Sequence, residues 1–329
     1  MTSRPVVSRE GGEIPNPHET LVTIIVTHYD YSHIIADALA SVAKQSHTQF
    51  ECIVVDDCSS LKHRTALRSI MEKCSDTRFK LIELAENKGQ TNAIFEGLRK
   101  SSGEFVALLD PDDLYTPDFL KKMLKCHLNP VLYAAVAACD MGLYRVGGSV
   151  LTHNYVGFRH ESIKNGTYPR HEASLLDYGF STYYEPETVG WLWATTSSLM
   201  FRRDALEALR RTEYMPNLKI CGDTYCAIGC HMLGGTLFLD EVLSWRGLHA
   251  ANAVETSWLV SSEQRKHQPS FEDTSRKIRY FAMQTLLENR TASYLPSRTL
   301  GRVLRAHFTG EEFKQLMADN PEFSRLALE

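Results

Sequence analysis

The stretch Leu108-Leu109-Asp110-Pro111-Asp112-Asp113 places three carboxylates within four residues, directly after the apolar run Phe105-Val106-Ala107-Leu108-Leu109. A short apolar run bounded by Gly103 and Pro111 predicts a buried strand of a parallel sheet. Neighbouring carboxylates repel one another unless a cation or solvent neutralises them, so this acidic end is either a divalent-metal site or an exposed turn. Ligands of open α/β sheets collect outside the carboxyl ends of such strands, which favours the metal site.

Three earlier apolar runs, at residues 21–27, 50–55 and 79–84, predict further strands of the same sheet. Segments with helical periodicity separate the four runs, and Ser32 is the expected N-cap of the first helix. Strands that alternate with helices imply βαβ crossovers and a parallel sheet. Residues 27–30, 56–57 and 110–113 would then share one edge of the sheet, where we expect a nucleotide pocket.

Composition excludes several classes of protein. The chain has 329 residues and a formal net charge of -4, which argues against a general nucleic-acid binder. Its eight cysteines form no Cys-x-x-Cys motif, and the spacing of Cys221, Cys226, Cys230 and His231 matches no common zinc site. No run of about 18 apolar residues is present. We therefore expect a cytoplasmic protein, with peripheral contact at the inner face of the membrane as an open alternative.

Several motifs, taken in order, resemble those of a known enzyme family. Four of them are Thr27-His28-Tyr29-Asp30, Val54-Val55-Asp56-Asp57-Cys58-Ser59, Asn87-Lys88-Gly89 and Leu109-Asp110-Pro111-Asp112-Asp113. They are similar to the successive motifs of family 2 inverting glycosyltransferases, and the resemblance covers about residues 20–255. It implies an α/β fold of the GT-A type, a Rossmann-like mixed sheet flanked by helices, with a C-terminal helical extension.

Composition, periodicity and the resemblance together predict a domain organisation. Residues 1–19 are expected to form a flexible leader and residues 20–258 the GT-A domain, divided into a nucleotide-binding half at 20–115 and an acceptor half at 116–258. Within the acceptor half, residues 131–138 are expected to resume the sheet and residues 145–190 to form variable acceptor loops. Residues 259–329 are expected to be helical, and three roles stay open for them: a solvated cap on the domain, a homodimer contact, or contact with anionic lipid.

The implied reaction transfers a sugar from a nucleotide diphosphate donor, expected to be a UDP-sugar, to a hydroxyl of a glycan or lipid-linked acceptor. By the resemblance, Asp112 would ligate a divalent ion, Asp110 would contact ribose or metal-bound water, and His249 would be a metal or diphosphate ligand. His249 belongs to a segment, residues 244–252, that resembles the Arg-x-x-His-x-x-Asn pattern at the end of the family's catalytic region. Oxygen ligands suit Mg²⁺ or Mn²⁺, and an imidazole tilts the choice toward Mn²⁺.

Asp223 is the expected general base, because it matches the acid that has this role in the family. The family often has a Glu-Asp pair at this point, whereas this chain has Gly222 before the aspartate. The alternative is that Asp223 is only the N-cap of the helix that follows.

The resemblance also assigns the nucleotide contacts. Tyr29 would stack on the base, Asp57 would accept a hydrogen bond from a ring N–H, and Thr27 would contact the base through its backbone. An acid that accepts from such an N–H suits uracil. Asp56 is expected to be a turn residue at the edge of the sheet instead of a ligand.

Five further residues are candidates for the sugar or the nucleotide. Trp191 and Trp193 could stack on a donor or acceptor sugar, with core packing as the alternative, and Arg246 is assigned with them. Gln90 and Asn92 are expected to help hold the nucleotide or the donor sugar.

Two other functions remain as alternatives. A metal-dependent sugar-phosphate nucleotidyltransferase shares the sheet, but it usually has a Gly-rich loop after the first strand, where this chain has Thr27-His28-Tyr29-Asp30. A catalytically retired nucleotide-sugar-binding scaffold is the second alternative, and only Gly222 speaks for it.

Overall fold

The computed structural model describes residues 16–130, 132–152, 181–190, 192–211, 221–249 and 271–324. In chain order, the strands are β1 (Val22–His28), β2 (Phe50–Asp56), β3 (Phe79–Glu83), β4 (Phe105–Leu109), β5 (Leu114–Tyr115), β6 (Val136–Arg145), β7 (Val150–Thr152), β8 (Ser181–Tyr184), β9 (Leu199–Arg202) and β10 (Thr236–Leu248). The helices are α1 (Ile35–Ala43), α2 (Leu61–Lys73), α3 (Gln90–Arg99), α4 (Phe119–His127), α5 (Arg203–Ala208), α6 (Gly222–Gly234), α7 (Phe271–Glu288), α8 (Ser297–His307) and α9 (Gly310–Asp319).

These strands form one mixed sheet in the order β3-β2-β1-β4-β9-β6-β10-β5, with β7 beside β6 and β8 beside β10. Strands β3, β2, β1 and β4 are mutually parallel, so the predicted parallel sheet of the first half is confirmed. Strand β9 lies antiparallel between β4 and β6 and joins the two halves. The parallel pair β6 and β10 continues the sheet on the acceptor side.

Both faces of the sheet are covered, because successive side chains of a strand point to opposite faces. Ile25, Ile53 and Leu108 pack on the face that holds α3 and α6, whereas Ile24, Val54 and Leu109 pack on the face that holds α1 and α4. Strands buried on both sides read as near-continuous apolar runs, which is why the sequence shows them clearly.

The C-terminal helices pack on the same face of the sheet as α3 and α6. Their buried side chains belong to one apolar cluster with Trp193 and Tyr225, and they include Ile278, Met283, Leu286, Val303, Leu304 and Leu316. Helix α9 begins with a capping box between Thr309 and Glu312. Within the described residues, α7, α8 and α9 therefore extend the main core.

The structure corrects several local expectations. Helix α1 begins at Ile35, so Ser32 is not its N-cap. The hydroxyl of Ser32 lies 2.8 Å from the Nδ1 atom of His63 instead. Strand β6 begins at Val136, later than residue 131, and extends to Arg145. Strands β7 and β8 lie within the segment 145–190 that was expected to be loops, while residues 153–180 and most of the leader lie outside the described residues.

In the described part of the chain, the structure contains no helix long and apolar enough to span a bilayer.

Candidate active site

The carboxyl ends of β1 and β4 place the acidic stretch in a pocket at one edge of the sheet. Val26 of β1 pairs with Leu109 of β4, so Asp110 follows at the level of Thr27. Helix α6 begins at the same edge, and the end of β10 brings Arg246 and His249 there. Segments from four distant parts of the chain therefore meet at this edge.

Asp113 stabilises the acidic turn through hydrogen bonds of its side chain. Its carboxylate accepts hydrogen bonds from the Ser197 hydroxyl at 2.6 Å and from the Gly247 N–H at 2.9 Å. The Ser197 hydroxyl also accepts a hydrogen bond from the Asp110 N–H at 3.0 Å. Asp113 is buried, and burial together with the charges of Asp112 and Asp110 raises its pKa well above the usual value. We conclude that Asp113 holds the turn in shape.

Asp112 and His249 lie together, as the resemblance implies. The Nε2 atom of His249 is 3.1 Å from the Oδ2 atom of Asp112. The Tyr144 hydroxyl donates to the Asp112 carbonyl oxygen at 2.9 Å. A side chain at Gly247 would place its Cβ 2.0 Å from that carbonyl oxygen, so only glycine lets β10 approach the acidic turn this closely.

Asp110 faces Asp112 and Asp223. Its Oδ1 atom accepts a hydrogen bond from the Gln90 amide at 3.1 Å, and the Thr196 side chain also bonds its carboxylate. Burial and the charges of Asp112 and Asp223 raise the pKa of Asp110 to about 7, although Thr196 and Arg246 oppose the rise. A site in which carboxylates repel this strongly favours a bound cation.

Asp223 lies in the first turn of α6, and the N-cap position is occupied by Cys221. The N-cap alternative for Asp223 is therefore wrong. Burial raises the pKa of its carboxyl, which the hydrogen bonds of Thr224 and Thr196 and the charge of Arg246 partly offset. A raised pKa suits a carboxylate that must take up a proton near neutral pH.

Asp112 and His249 offer one oxygen and one nitrogen donor of the kinds that bind divalent ions. Their Oδ2 and Nε2 atoms lie 3.1 Å apart, which is a hydrogen-bond distance. Among the residues that the structure describes, no group of three or more His, Cys, Asp or Glu side chains is arranged to hold a metal ion. An ion here would thus take few protein ligands, as Mg²⁺ does when substrate phosphates complete its shell.

The predicted nucleotide contacts lie at the ends of β1 and β2. Tyr29 is 49% exposed, which leaves its ring open to a ligand. Asp57 is buried, and its two carboxylate oxygens accept hydrogen bonds from the backbone N–H groups of Lys88 and Gly89 at 2.9 and 2.7 Å. Asp57 therefore fixes the loop before α3, and each oxygen keeps a second lone pair. Thr27 is partly exposed at the end of β1.

The expectation that Asp56 is a turn residue at the sheet edge is wrong. Asp56 is fully buried in β2, and its Oδ1 atom lies 2.7 Å from the Nδ1 atom of His28. Its other oxygen accepts a hydrogen bond from the Ser59 N–H at 3.1 Å. Burial alone would raise the pKa of Asp56, but the hydrogen bonds from His28 and Ser59 hold it below the usual value. Asp56 is therefore a buried residue of β2 that is hydrogen-bonded within the fold, and not a turn residue.

The three residues expected to contact a sugar have different outcomes. Trp193 is buried in the core and donates its indole N–H to the Thr236 hydroxyl at 3.1 Å, so core packing describes it and its faces are not open to a sugar. Trp191 lies outside the described residues. Arg246 is partly exposed, and its charge lowers the pKa of both Asp110 and Asp223, which places it beside the acidic pocket.

Sequence reasoning missed three residues of the pocket. Thr196 and Ser197 supply hydroxyls to the acidic turn, although serine and threonine in a polar segment give no signal of this role. The Tyr31 ring lies 5.4 Å from the His249 ring, edge-on, and burial together with the charges of Asp112 and Asp110 raises its pKa to about 12. Only the fold brings these residues beside the carboxylates.

Comparison with known proteins supports the resemblance. A family model described as Glycosyl transferase family 2 matches residues 23–210, more than half of the chain. An uncharacterized glycosyltransferase of Nostoc sp. is 26% identical over 265 residues, which are 80% of this chain and 76% of that protein. The Escherichia coli UDP-Glc:alpha-D-GlcNAc-diphosphoundecaprenol beta-1,3-glucosyltransferase WfgD is 34% identical over 108 residues, and this match spans 33% of this chain but only 41% of that protein.

A solved structure shares the fold. The mannosyltransferase PcManGT of Pyrobaculum calidifontis, in complex with GDP-Man and Mn²⁺, is 18% identical and superposes with a TM-score of 0.51. The match covers 96% of this chain and 83% of that one. The mixed sheet flanked by helices is therefore the GT-A fold, as predicted.

Proposed function

This chain belongs to glycosyl transferase family 2 and is a glycosyltransferase, and from that premise we propose that it transfers a sugar from a UDP-sugar to a hydroxyl of a glycan or lipid-linked acceptor with inversion. The observation that carries the proposal is the pocket in which Asp110, Asp112 and Asp223 meet with Arg246 and His249. Family membership favours this function over the nucleotidyltransferase and scaffold alternatives.

The donor side of the proposal rests on Asp112 and His249. These two side chains would hold Mn²⁺ or Mg²⁺, which stabilises the negative charge that develops on the departing diphosphate. Support for Mn²⁺ comes from the imidazole in the ligand pair and from the structural relative PcManGT, which was solved with Mn²⁺. Arg246 adds a fixed positive charge beside the same pocket.

Asp223 would act on the acceptor side. It would accept the proton of the acceptor hydroxyl as that oxygen attacks the anomeric carbon, and attack from the face opposite the leaving group inverts the centre. Its place in the first turn of α6 keeps it within the electrostatic influence of Asp110 and therefore beside the donor pocket. The Thr196 side chain is near both carboxylates and lowers the pKa of each.

The nucleotide would bind at the ends of β1 and β2. The exposed ring of Tyr29 is available to stack on a base, and Asp57 keeps lone pairs that could accept from the ring N–H of uracil. A UDP-sugar is also the donor that the name of the relative WfgD gives for that enzyme, and its acceptor there is lipid-linked.

The test is a titration of the wild-type chain with UDP and with GDP, each with and without Mn²⁺, followed by a hydrolysis screen of nucleotide sugars. We expect Mn²⁺ to tighten the binding of UDP, and a UDP-sugar to be the preferred substrate for hydrolysis. Absence of nucleotide binding under all conditions would overturn the proposal, and preferential binding of GDP would overturn the assignment of the base.

A further inference from the structure

Gln90 uses both ends of its side-chain amide within the active site. It is the first residue of α3, and its Nε2 atom donates to the Oδ1 atom of Asp110 at 3.1 Å. Its Oε1 atom accepts from the backbone N–H of Gly222 at 3.2 Å. The amide offers its donor and its acceptor on two separate atoms, and the asparagine side chain is one methylene shorter.

The two groups that Gln90 joins belong to opposite sides of the reaction. Asp110 directly follows β4 and lies beside the proposed metal ligand Asp112, whereas Gly222 is the first residue of α6 and directly precedes Asp223. The carboxylates of Asp110 and Asp223 carry like charges, which repel and tend to separate β4 from α6. The Gln90 amide is a neutral donor, so it holds the Asp110 carboxylate in place without neutralising the negative charge of that carboxylate.

Close packing between α3 and α6 supports this function of Gln90. A Cβ atom on Gly222 would lie 3.0 Å from both the Cα and N atoms of Thr91, the residue after Gln90. The family's glutamate could not occupy this position without moving α6 away from α3. The glycine therefore lets α6 approach, and its N–H is then within reach of the Gln90 amide.

We propose that Gln90 is a positioning residue that ties the donor-side carboxylate Asp110 to the first turn of α6 and so fixes the general base Asp223 relative to the bound donor. The proposal rests on the function proposed above, because it takes Asp110 and Asp223 to serve donor and acceptor.

The decisive variant is Gln90→Met, which keeps the length of the side chain and removes both hydrogen bonds. The free energy of a hydrogen bond to a charged group is large enough that its loss can weaken nucleotide binding about tenfold. We therefore expect Gln90→Met to bind UDP in the presence of Mn²⁺ about tenfold more weakly than the wild type. The matched control is Arg99→Met, because Arg99 is exposed on the same helix and its guanidinium donates to the Glu96 carboxylate at 2.7 Å, away from the active-site carboxylates.

A double-mutant cycle separates positioning from a structural effect. If Gln90 acts through Asp110, Gln90→Met in an Asp110→Ala background should change the UDP affinity less than about twofold, because the coupled partner is already absent. A general structural defect would weaken binding equally in both backgrounds. Should Gln90→Met fail to fold, Gln90→Asn, which cannot span both partners, gives the same comparison.

A kinetic measurement tests whether Gln90 also positions the general base. The kcat for hydrolysis of the UDP-sugar chosen by the screen should fall in Gln90→Met, and its KM should rise, whereas loss of the base alone should leave UDP binding unchanged. Wild-type UDP affinity in Gln90→Met, or additive effects in the cycle, would overturn this inference while leaving the proposed function intact. Failure of the wild type to bind any nucleotide would overturn the proposed function itself.

Discussion

The carboxylates of the pocket differ because their surroundings differ. Asp113 is bonded to Ser197 and Gly247 and holds the turn, whereas Asp112 keeps one oxygen beside His249. Asp110 and Asp223 are raised in pKa by burial, and for Asp110 also by neighbouring negative charge. Carboxylates of one site therefore have different surroundings, which is consistent with the separate structural, metal-binding and proton-accepting roles proposed for them.

Replacement of Asp112, the proposed metal ligand, should remove activity without unfolding the chain. Asp112→Ala removes one of the two atoms that fit a divalent ion, so we expect the Mn²⁺ dependence of UDP binding to disappear and UDP-sugar hydrolysis to fall below detection. Calorimetric titration with UDP and Mn²⁺ measures the first effect. Circular dichroism that matches the wild type shows that the fold is kept, and Mn²⁺-dependent UDP binding in this variant would contradict the assigned role.

Replacement of the base should separate binding from transfer. Asp223→Asn keeps the shape of the side chain but cannot take up a proton, and a general base contributes a factor of about 10² to 10⁴ in rate. We expect this loss in transfer to an acceptor hydroxyl, with UDP affinity within about twofold of the wild type. Equal loss of UDP binding in Asp223→Asn and Asp112→Ala would contradict the separate roles.

At the scale of elements, the contact between β10 and the turn after β4 decides how Asp112 and His249 lie relative to each other. Gly247 approaches the Asp112 carbonyl so closely that an added methyl group must displace one of the two segments. Strand β10 also carries Arg246 and leads to His249, so its position places the Arg246 charge and the His249 imidazole together.

The variant Gly247→Ala tests this contact. Overpacking of this kind costs about 1 to 3 kcal/mol of stability, and the displaced Asp112 should weaken UDP binding with Mn²⁺. Urea unfolding and calorimetric titration measure the two effects. Gly148→Ala is the matched control, because its Cβ would have no neighbour closer than 3.4 Å. Wild-type behaviour of Gly247→Ala would show that the approach is not required.

Helix α7 is part of the central packing, although it follows the catalytic region. Leu286 of α7 is fully buried in the cluster that contains Trp193. We expect Leu286→Ala to lower the free energy of unfolding by about 2 to 5 kcal/mol, as core truncations do, when urea unfolding is followed by tryptophan fluorescence. The exposed Arg298→Ala in α8 should change it by less than about 0.5 kcal/mol. An unchanged fluorescence transition in Leu286→Ala would mean that α7 folds independently of the sheet.

At the scale of the whole molecule, buried histidines join the C-terminal helices to the sheet domain. His307 of α8 lies with its Nε2 atom 2.7 Å from the Pro186 carbonyl oxygen, and the ring of His231 in α6 lies 6.3 Å away. Burial and nearby positive charge lower the pKa of His307 to about 4 and that of His231 to about 3. These rings are neutral in the folded chain near pH 6.

This burial predicts a pH dependence of stability. The unfolded chain binds a proton at His307 below its ordinary pKa of 6.5, whereas the folded chain does so only below about 4, so stability is lost as the pH falls through this window. The wild type should lose on the order of 3 kcal/mol more than His307→Gln between pH 6.5 and 4. Urea unfolding at each pH measures the difference. The carboxyl groups with raised pKa values are present in both proteins, so their contributions to stability cancel in the comparison.

Two comparisons complete this test. His18→Gln is the control, because the His18 side chain is exposed. The stability of this variant should match that of the wild type at every pH. Parallel stability curves for the wild type and His307→Gln would show that His307 takes up its proton equally in both states.

The sequence by itself determined the parallel β3-β2-β1-β4 half of the sheet and the candidate carboxylates, because strands buried on both faces leave apolar runs and their acidic ends follow directly in the chain. Only the tertiary structure decided that Asp56 is buried, that Trp193 is in the core, that β9 runs antiparallel through the sheet centre and that Gln90 reaches Gly222 across 132 residues. Periodicity reports which face of a segment is buried, whereas the partner of a polar side chain is set by contacts between segments that are distant in the chain, and no local pattern encodes those contacts.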